Sequence, residues 1–234
     1  METAASKVSG SASITATPPP GCIFTYFAGR GMGERVRYAL AAGGIEYSEV
    51  YLRLPGALDD LRATGVLLFN QVPLLEIDGL RISQSWTIVR YLARRAGLVP
   101  SDVASEVRAD ALAEGVRDFY TMSGLIGFGW GDRDASLEKV VASCAKYLPL
   151  FERALKSAEA SGGPFLLGPK PFWVDFQLLY QLDYTEEVIP GSLAAFPECS
   201  AFRSAMRDLP TMRAFYASPH CHGLVTKEYI DEVG

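Results

Sequence analysis

The 234-residue sequence lacks the excess of basic residues that a nucleic-acid or anionic-membrane surface requires. It has 22 Lys and Arg against 27 Asp and Glu, which gives a formal net charge of −5. No uncharged apolar run approaches the roughly 18 residues that a membrane span needs. The four cysteines form no Cys-x-x-Cys pair, which is typical of reduced thiols in a cytosol. We therefore expect a cytoplasmic globular protein with no nucleic acid as a partner and no membrane span.

Two segments resemble ligand-binding motifs but lack a required feature. "YFAGRGMGE" contains three glycines, yet a Gly-x-Gly-x-x-Gly phosphate loop would need glycine at Glu34, and no Gly-Lys-Ser/Thr follows. His220, Cys221 and His222 are consecutive, so their side chains cannot easily converge on one metal ion. We expect neither a nucleotide site nor a metal site.

Strand and helix patterns alternate up to residue 97. "CIFTYFAG" is a β-branched and aromatic run, and "RGMGERVRYALAAGG" has helical apolar spacing with a Gly-Gly stop. "IEYSEVYLRL" alternates like a second strand, "PGALDDLRATG" can hold a short helix, and two further β-rich runs flank Asp78-Gly79, a strong hairpin signal. "SWTIVRYLARRAGL" then returns to helical spacing. The predicted order is β-α-β-α-β-β-α, with a parallel first strand pair and an antiparallel hairpin.

The second half of the sequence has no strand pattern. From residue 103 to about 219 the apolar spacing is helical, with Pro/Gly breaks at 161–171, 189–191 and 209–211. The first 21 residues are rich in Ala, Ser, Thr and Pro and contain no arginine, so they match neither a secretory signal nor an organelle presequence. We predict a disordered extension (1–21), an α/β domain (22–97), a linker (98–103), an all-helical domain (104–219) and a tail (220–234).

Three local features have both a functional and a purely structural interpretation. "SQSW" (83–86) ends a strand and opens a helix, where free amides favour an anion, although Ser83 or Ser85 can instead simply cap that helix. Tyr26 ends the first strand, so its hydroxyl can point into a cleft or its ring can simply fill the core. Pro73 lies near the start of a predicted strand, where proline is normally excluded because it removes a ladder donor.

Four segments together resemble the cytosolic glutathione S-transferases, most of all their alpha class. They are "YFAGRG", "LRATGVLLFNQVPLLEIDG", "ISQSWTIVRYLA" and "FPECSAFRSAMRDLPTMRAFYASP", and the resemblance runs from about residue 23 to residue 219. It implies an α/β plus all-α fold. A thioredoxin-like domain with a mixed four-stranded sheet would be followed by an all-helical C-terminal domain.

The same resemblance implies how glutathione would be held. A cis peptide bond between Val72 and Pro73 would let the backbone N–H and C=O of Val72 pair with the cysteinyl part of glutathione, and Gln71 would help to hold the middle of the tripeptide. Tyr26 would donate its hydroxyl to the sulfur. The remaining glutathione contacts would be Gln84 and Ser85 at the γ-glutamyl end and Arg62 at the glycyl carboxylate.

The resemblance further implies a homodimer with sites shared across the interface. Asp118 would reach the γ-glutamyl ammonium of the ligand in the neighbouring subunit, and Phe69 would insert into that subunit. The acceptor-substrate pocket would involve Phe27, Leu125, Phe128 and the C-terminal segment.

The implied activity is transfer of the glutathione thiol to hydrophobic electrophiles, with glutathione as co-substrate and no metal. The thiolate would attack an electrophilic carbon, and Tyr26 would favour the ionised thiol. A noncatalytic binding or interaction protein of the same fold remains an alternative. Glutathione-dependent peroxidase or isomerase action is a further alternative, because those reactions use the same activated thiol.

Two positions depart from the pattern of the family. The alpha class has an arginine where this chain has Met32, so the cation that helps to stabilise the thiolate is missing. Asp175 stands where the family has the third residue of a helix capping box, but the Ser or Thr expected three positions earlier is Phe172. We expect the second departure to cost about 1 kcal/mol of stability.

Overall fold

The computed structural model describes residues 21–123, 133–159 and 162–224. Within them the chain forms four strands and eight helices. In chain order they are β1 (Ile23–Tyr26), α1 (Gly31–Ala42), β2 (Ser48–Tyr51), α2 (Ala57–Ala63), β3 (Leu74–Ile77), β4 (Leu80–Ser83), α3 (Ser85–Arg95), α4 (Val103–Ser123), α5 (Arg133–Glu159), α6 (Trp173–Val188), α7 (Pro197–Arg207) and α8 (Pro210–Tyr216).

The four strands form one mixed sheet in the order β2-β1-β3-β4. β1 is parallel to β2, whereas the β1–β3 and β3–β4 pairs are antiparallel. The hairpin turns at Asp78 and Gly79, whose φ angles of 51° and 76° are those a two-residue type I′ turn requires. The predicted element order, the parallel first pair and the Asp-Gly hairpin are therefore confirmed.

Glycines end the two longer helices that pack on the sheet. Gly44 has a φ of 58°, and the N–H of Ile45 beyond it donates to the Leu40 carbonyl at 3.0 Å. Gly97 has a φ of 67°, and Leu98 N–H donates to the Ala93 carbonyl at 2.9 Å. Both ends have the backbone pattern of a helix closed by a left-handed glycine. The stop predicted from the Gly-Gly pair is confirmed, and Gly97 ends α3 in the same way.

Helix α6 joins the two halves of the molecule. It is buried from Trp173 through Thr185 and packs against α1, α4 and α7. Gln177 Nε2 donates to the carbonyl of Arg35, and Tyr180 Oη donates to the carbonyl of Gly31, both on α1. The first turns of α1 are therefore held by the helical half of the chain.

The start of α6 is organised by a buried carboxylate. Phe172 has no side-chain acceptor, as the sequence implied, but Asp175 Oδ2 accepts the N–H of Phe172 and Asp175 Oδ1 accepts the N–H of Leu166, each at 2.8 Å. Burial raises the pKa of Asp175 to about 7, while these two amide hydrogen bonds lower it. One half of the capping box is thus present, and its acidic residue also fixes the loop before the helix.

Replacing this carboxylate with an amide should destabilise the fold. In Asp175→Asn one of the two buried N–H groups faces an NH₂ group instead of an oxygen, so we expect a loss of about 1–3 kcal/mol in the free energy of unfolding. Urea unfolding of the variant and the wild type measures this change in the free energy of unfolding. Asp208→Asn, at an exposed position, is the control and should change stability by less than about 0.5 kcal/mol. Equal stabilities for the two variants would contradict the structural role of Asp175.

Candidate functional site

Tyr26 lies at the end of β1, directly beneath the first turn of α1. Its side chain is only 5% exposed, so the ring does contribute to the core. Its hydroxyl oxygen, however, accepts the N–H of Met32 at 3.0 Å, in the first turn of α1. The amides of a helix N-terminus carry partial positive charge, which favours negative charge at this hydroxyl or beside it.

Gly33 allows α1 to approach the Tyr26 ring this closely. A Cβ built on Gly33 would lie within 2.8 Å of three ring carbons of Tyr26, closer than real carbon contacts come. The φ of Gly33 is not in the left-handed region, so the requirement for glycine is steric. The glycine-rich "GRGMG" segment therefore positions a tyrosine, which the sequence did not reveal.

The hydroxyl end of Tyr26 opens into a cleft of about 390 Å³, a size suited to a small-molecule ligand. The cleft brings together all eight residues predicted to hold glutathione or to begin the acceptor pocket on this domain, which are Tyr26, Phe27, Arg62, Gln71, Val72, Pro73, Gln84 and Ser85. Met32 and Leu58 complete the lining. The sequence analysis missed Leu58, although it lies four residues before Arg62 on α2 and so on the same helical face.

The backbone at Val72 is arranged to pair with another extended chain. The Val72–Pro73 peptide bond is cis, and β3 begins immediately afterwards at Leu74. Within the described residues, neither the N–H nor the C=O of Val72 makes a backbone hydrogen bond. A peptide lying in the cleft can therefore use both groups as a short added strand does.

The start of α3 lies at the same cleft. Gln84 is its N-cap residue with a φ of 69°, and no side chain caps the helix, so neither serine has the purely structural capping role. Gln84 Nε2 donates to Gln71 Oε1 at 3.3 Å, which links the two predicted amide contacts. Ser85 Oγ lies 4.0 Å from Met32 Sδ. Only a few per cent of non-glycine residues adopt positive φ, so the backbone conformation of Gln84 is uncommon.

Arg62 borders the cleft from α2. Its Nη1 donates to Asp59 Oδ1 at 2.8 Å, and its Nε donates to the Asn70 carbonyl at 3.0 Å. The second bond connects α2 to the loop that carries Gln71 and Val72. The guanidinium remains partly exposed and can add a carboxylate ligand to its existing partners.

Family models match most of the described chain. The model of the glutathione S-transferase N-terminal domain matches residues 23–94, and that of the glutathione S-transferase C-terminal domain matches residues 132–219. The chain belongs to the glutathione S-transferase family. The predicted recognition and the predicted two-part fold are thereby confirmed.

Relatives and solved structures agree with the family models. The chain is 38% identical to glutathione S-transferase alpha M14 of Sus scrofa over 82% of this chain and 86% of that protein. It is 36% identical to glutathione S-transferase A4 of Mus musculus over 81% and 85% of the two chains. The crystal structure of the glutathione S-transferase from Ascaris lumbricoides superposes with a TM-score of 0.73 at 30% identity, covering 86% of this chain and 100% of that one.

Four predicted residues of this transferase lie outside the cleft or outside the described part of the chain. Asp118 is exposed on α4 and does not line the cleft of its own chain. Phe69 is 60% exposed on the loop between α2 and β3. Leu125 and Phe128 lie outside the described residues, so Phe27 is the predicted acceptor-pocket residue whose position is known.

The cysteines of the transferase are poor nucleophiles. Burial raises the pKa of Cys22 and that of Cys221 to about 11. Burial also raises the pKa values of Cys144 and Cys199. All four thiols are therefore predominantly protonated at neutral pH, so a reactive thiolate in the cleft has to come from a ligand.

Two other features are absent from the described residues. Among them, no group of three or more His, Cys, Asp and Glu side chains lies close enough to hold a metal ion. In the same part of the chain, no helix is both long enough and apolar enough to cross a membrane.

The steric requirement at Gly33 leads to a matched pair of glycine variants. Gly33→Ala should lower the free energy of unfolding by about 1–3 kcal/mol, because the new methyl group displaces the Tyr26 ring or α1. Gly115→Ala, in the middle of α4, should stabilise by up to about 1 kcal/mol, because its Cβ meets only Phe151 at 3.7 Å. Denaturant titration of both proteins measures the difference. Stabilisation by Gly33→Ala would refute the close approach of α1 to Tyr26.

Proposed function

We propose that this family member is a cytoplasmic glutathione transferase that joins the glutathione thiol to hydrophobic electrophiles, with Tyr26 activating the thiol. The observation that carries the proposal is the cleft, where the Tyr26 hydroxyl, the open backbone of Val72 and the start of α3 face one space. Several relatives, including the pig and mouse proteins, are named glutathione S-transferases. Their names support the reaction type and leave the second substrate open.

Each part of glutathione has a matching group in the cleft. The γ-glutamyl carboxylate binds at the N-terminus of α3, where Ser85 and Gln84 add hydrogen bonds. The cysteinyl amide and carbonyl pair with the backbone of Val72. The glycyl carboxylate binds Arg62, whose charge suits an anion. Together these contacts place the sulfur next to the Tyr26 hydroxyl.

Thiol ionisation is the chemical task of the site. A free cysteine thiol has a pKa of about 8.5, so only a few per cent is thiolate at neutral pH. Stabilising the anion by about 2 kcal/mol lowers that pKa by roughly 1.5 units and makes about half of the bound thiol reactive. The Tyr26 hydroxyl accepts a hydrogen bond from Met32 N–H, which makes it a stronger donor to the sulfur.

The bond changes are those of a substitution or an addition at carbon. The thiol proton passes to solvent, and the sulfur lone pair then forms the S–C bond. In a substitution the leaving group departs with its bonding electron pair. Holding the electrophile against the thiolate in an apolar pocket adds the benefit of proximity, and Phe27 is the described residue that begins this pocket.

Removing the tyrosine hydroxyl tests the proposed chemistry. Tyr26→Phe should bind glutathione with nearly unchanged affinity in a calorimetric titration. Its turnover of an aryl halide at neutral pH should fall by about tenfold or more, which corresponds to about 1.4 kcal/mol or more of lost transition-state stabilisation. Tyr91→Phe removes an exposed hydroxyl bonded to Asp78, away from the cleft, and serves as the control that keeps its activity.

The outcomes of that experiment separate the candidate functions. Unchanged turnover in Tyr26→Phe would refute the role of the hydroxyl. Glutathione binding by the wild-type protein without turnover of any electrophile would instead assign a noncatalytic binding role.

We also propose that two copies form a homodimer and complete each other's sites. Phe69 and its neighbour Leu68 are 60% and 75% exposed, an apolar pair that another surface can cover. Asp118 faces solvent on α4 and is available to the ligand of a neighbouring subunit.

Shortening the exposed aromatic ring tests the assembly. Phe69→Ala should weaken the dimer by about 3–5 kcal/mol if the ring is buried in the partner. Sedimentation velocity over a range of protein concentrations measures the dissociation. Leu54→Ala, which shortens a side chain 75% exposed on another loop, is the matched control and should leave the assembly unchanged. A wild-type protein that is active and monomeric would contradict the shared sites.

A further inference from the structure

Arg35 is a fully buried arginine without a hydrogen-bond partner. It lies in the second turn of α1 and is 1% exposed, and its Nε, Nη1 and Nη2 atoms have no partner among the described residues. Two other arginines nearby are also buried, but Arg30 is paired with Glu187 and Arg37 with Glu34 and Glu49. Native proteins rarely leave such groups unsatisfied, so this one requires an explanation.

Aromatic rings surround the guanidinium of Arg35. Its Cζ lies 4.5 Å from the ring centre of Trp86 on α3, 4.6 Å from that of Tyr120 on α4 and 5.8 Å from that of Tyr180 on α6. The faces of these rings attract a cation but carry no net charge. They therefore hold the arginine in place without neutralising it.

The ionisable groups that face Arg35 are phenols. They are Tyr26 on β1, Tyr120 on α4 and Tyr180 on α6, while α3 contributes the uncharged Trp86. Burial raises the pKa values of Tyr120 and Tyr180, so both remain neutral at physiological pH. Burial also lowers the pKa of Arg35, but a guanidinium starts so high that it stays charged. The neighbouring carboxylate on α1, Glu34, is bound to Arg37.

This aromatic cage lies next to the Tyr26 end of the cleft. Arg35 is one helical turn after Met32, whose N–H bonds to the Tyr26 hydroxyl and whose side chain lines the cleft. Side chains on a helix lean toward its N-terminus, which directs Arg35 back toward that turn. Trp86 directly follows Ser85 of the cleft. Negative charge on Tyr26 raises the pKa of Arg35, so the two groups are electrostatically coupled.

Arg35 does not itself line the cleft, and among the described residues the cleft lining contains a single cation. That residue is Arg62, which is partly exposed and already paired with Asp59. Met32, which lines the cleft beside Tyr26, is uncharged. Because Arg35 is buried and no counterion is paired with it among the described residues, its field is weakly screened and acts over a longer distance than that of a surface charge.

We propose that Arg35 is a positioning residue of the active site, whose unpaired charge behind Tyr26 favours the thiolate over the thiol of bound glutathione. This inference rests on the proposed function and adds to it the source of the positive field. The partner subunit cannot supply a counterion, because the side chain is already enclosed within a single chain.

A structural role and an electrostatic role predict opposite changes in stability. A buried charge without a counterion is costly, and an apolar side chain of similar length is often at least as stable. If Arg35 serves the thiolate, Arg35→Met should unfold at the same temperature as the wild type or higher and lose activity. If Arg35 only joins the helices, Arg35→Met should unfold at a lower temperature and keep the wild-type pH profile.

The decisive measurement is the pH at which the bound thiol ionises. It is followed by the ultraviolet absorbance of the thiolate in the glutathione complex, and independently by the acid limb of kcat/KM with an aryl halide. Removing a positive charge raises the pKa of the bound thiol. In Arg35→Met the midpoint of the absorbance titration and the midpoint of the acid limb of kcat/KM should therefore both move to higher pH by about one unit. At pH values below the limb, kcat/KM should then fall about tenfold.

Two further variants complete the experiment. Arg90→Met removes another guanidinium that faces Trp86, one whose charge is offset by Asp110 and Glu114, and should leave both midpoints in place. Arg35→Gln also removes the charge but keeps hydrogen-bonding groups. If Arg35→Met does not fold, Arg35→Gln is used in its place. In Arg35→Gln both pH midpoints must likewise move to higher pH.

The outcomes distinguish this inference from the proposed function. Unchanged midpoints in a charge-removed Arg35 variant that binds glutathione refute the inference alone. A wild-type protein that binds glutathione but turns over no electrophile refutes the proposed function, and the absorbance titration still tests Arg35. A wild-type protein that does not bind glutathione refutes both.

Discussion

The site depends on the contact between the first turn of α1 and the ring of Tyr26. At this contact Gly33 has no side chain, and the Met32 amide reaches the Tyr26 hydroxyl at 3.0 Å. A methyl group at Gly33 would push the helix and the ring apart and would lengthen that hydrogen bond. The orientation of the hydroxyl, the start of the helix and the shape of the cleft are therefore linked by one steric constraint.

Buried charges fix the loop that joins β1 to α1. Arg37 donates to the Gly29 carbonyl at 2.7 Å and to the Phe27 carbonyl at 3.2 Å, and it binds the carboxylates of Glu34 and Glu49. His220, near the end of the described chain, contacts Glu49 at 2.9 Å. Because the loop runs from Tyr26 through Phe27 to α1, these bonds link this part of the cleft lining to β2 and to the C-terminal segment.

The helical half of the chain contributes residues that pack against α1 and do not line the cleft. Tyr180 and Gln177 hold carbonyls of α1, and Tyr120 and Tyr180 help to enclose Arg35. The thioredoxin-like unit carries the proposed glutathione contacts in its cleft, while α4 and α6 contribute the tyrosine rings that enclose Arg35. The packing between the two units therefore also encloses the buried charge that we propose to act on the thiol.

The sequence by itself determined the elements of the sheet half, and through the family resemblance it located every residue of the cleft lining except Leu58. Asp78-Gly79 specifies its turn, and Gly44 and Gly97 end their helices, because only local backbone conformation is involved. The resemblance located Val72 and Gln84 because motifs preserve the spacing of contacts to a common ligand. The tertiary structure decided the role of Gly33 and the isolation of Arg35. The role of Gly33 depends on how closely α1 packs on the neighbouring strand β1, which sequence spacing does not reveal. The isolation of Arg35 depends on α3, α4 and α6, which lie far from α1 in the chain, so the lack of a partner among the described residues is visible only once these helices have been placed.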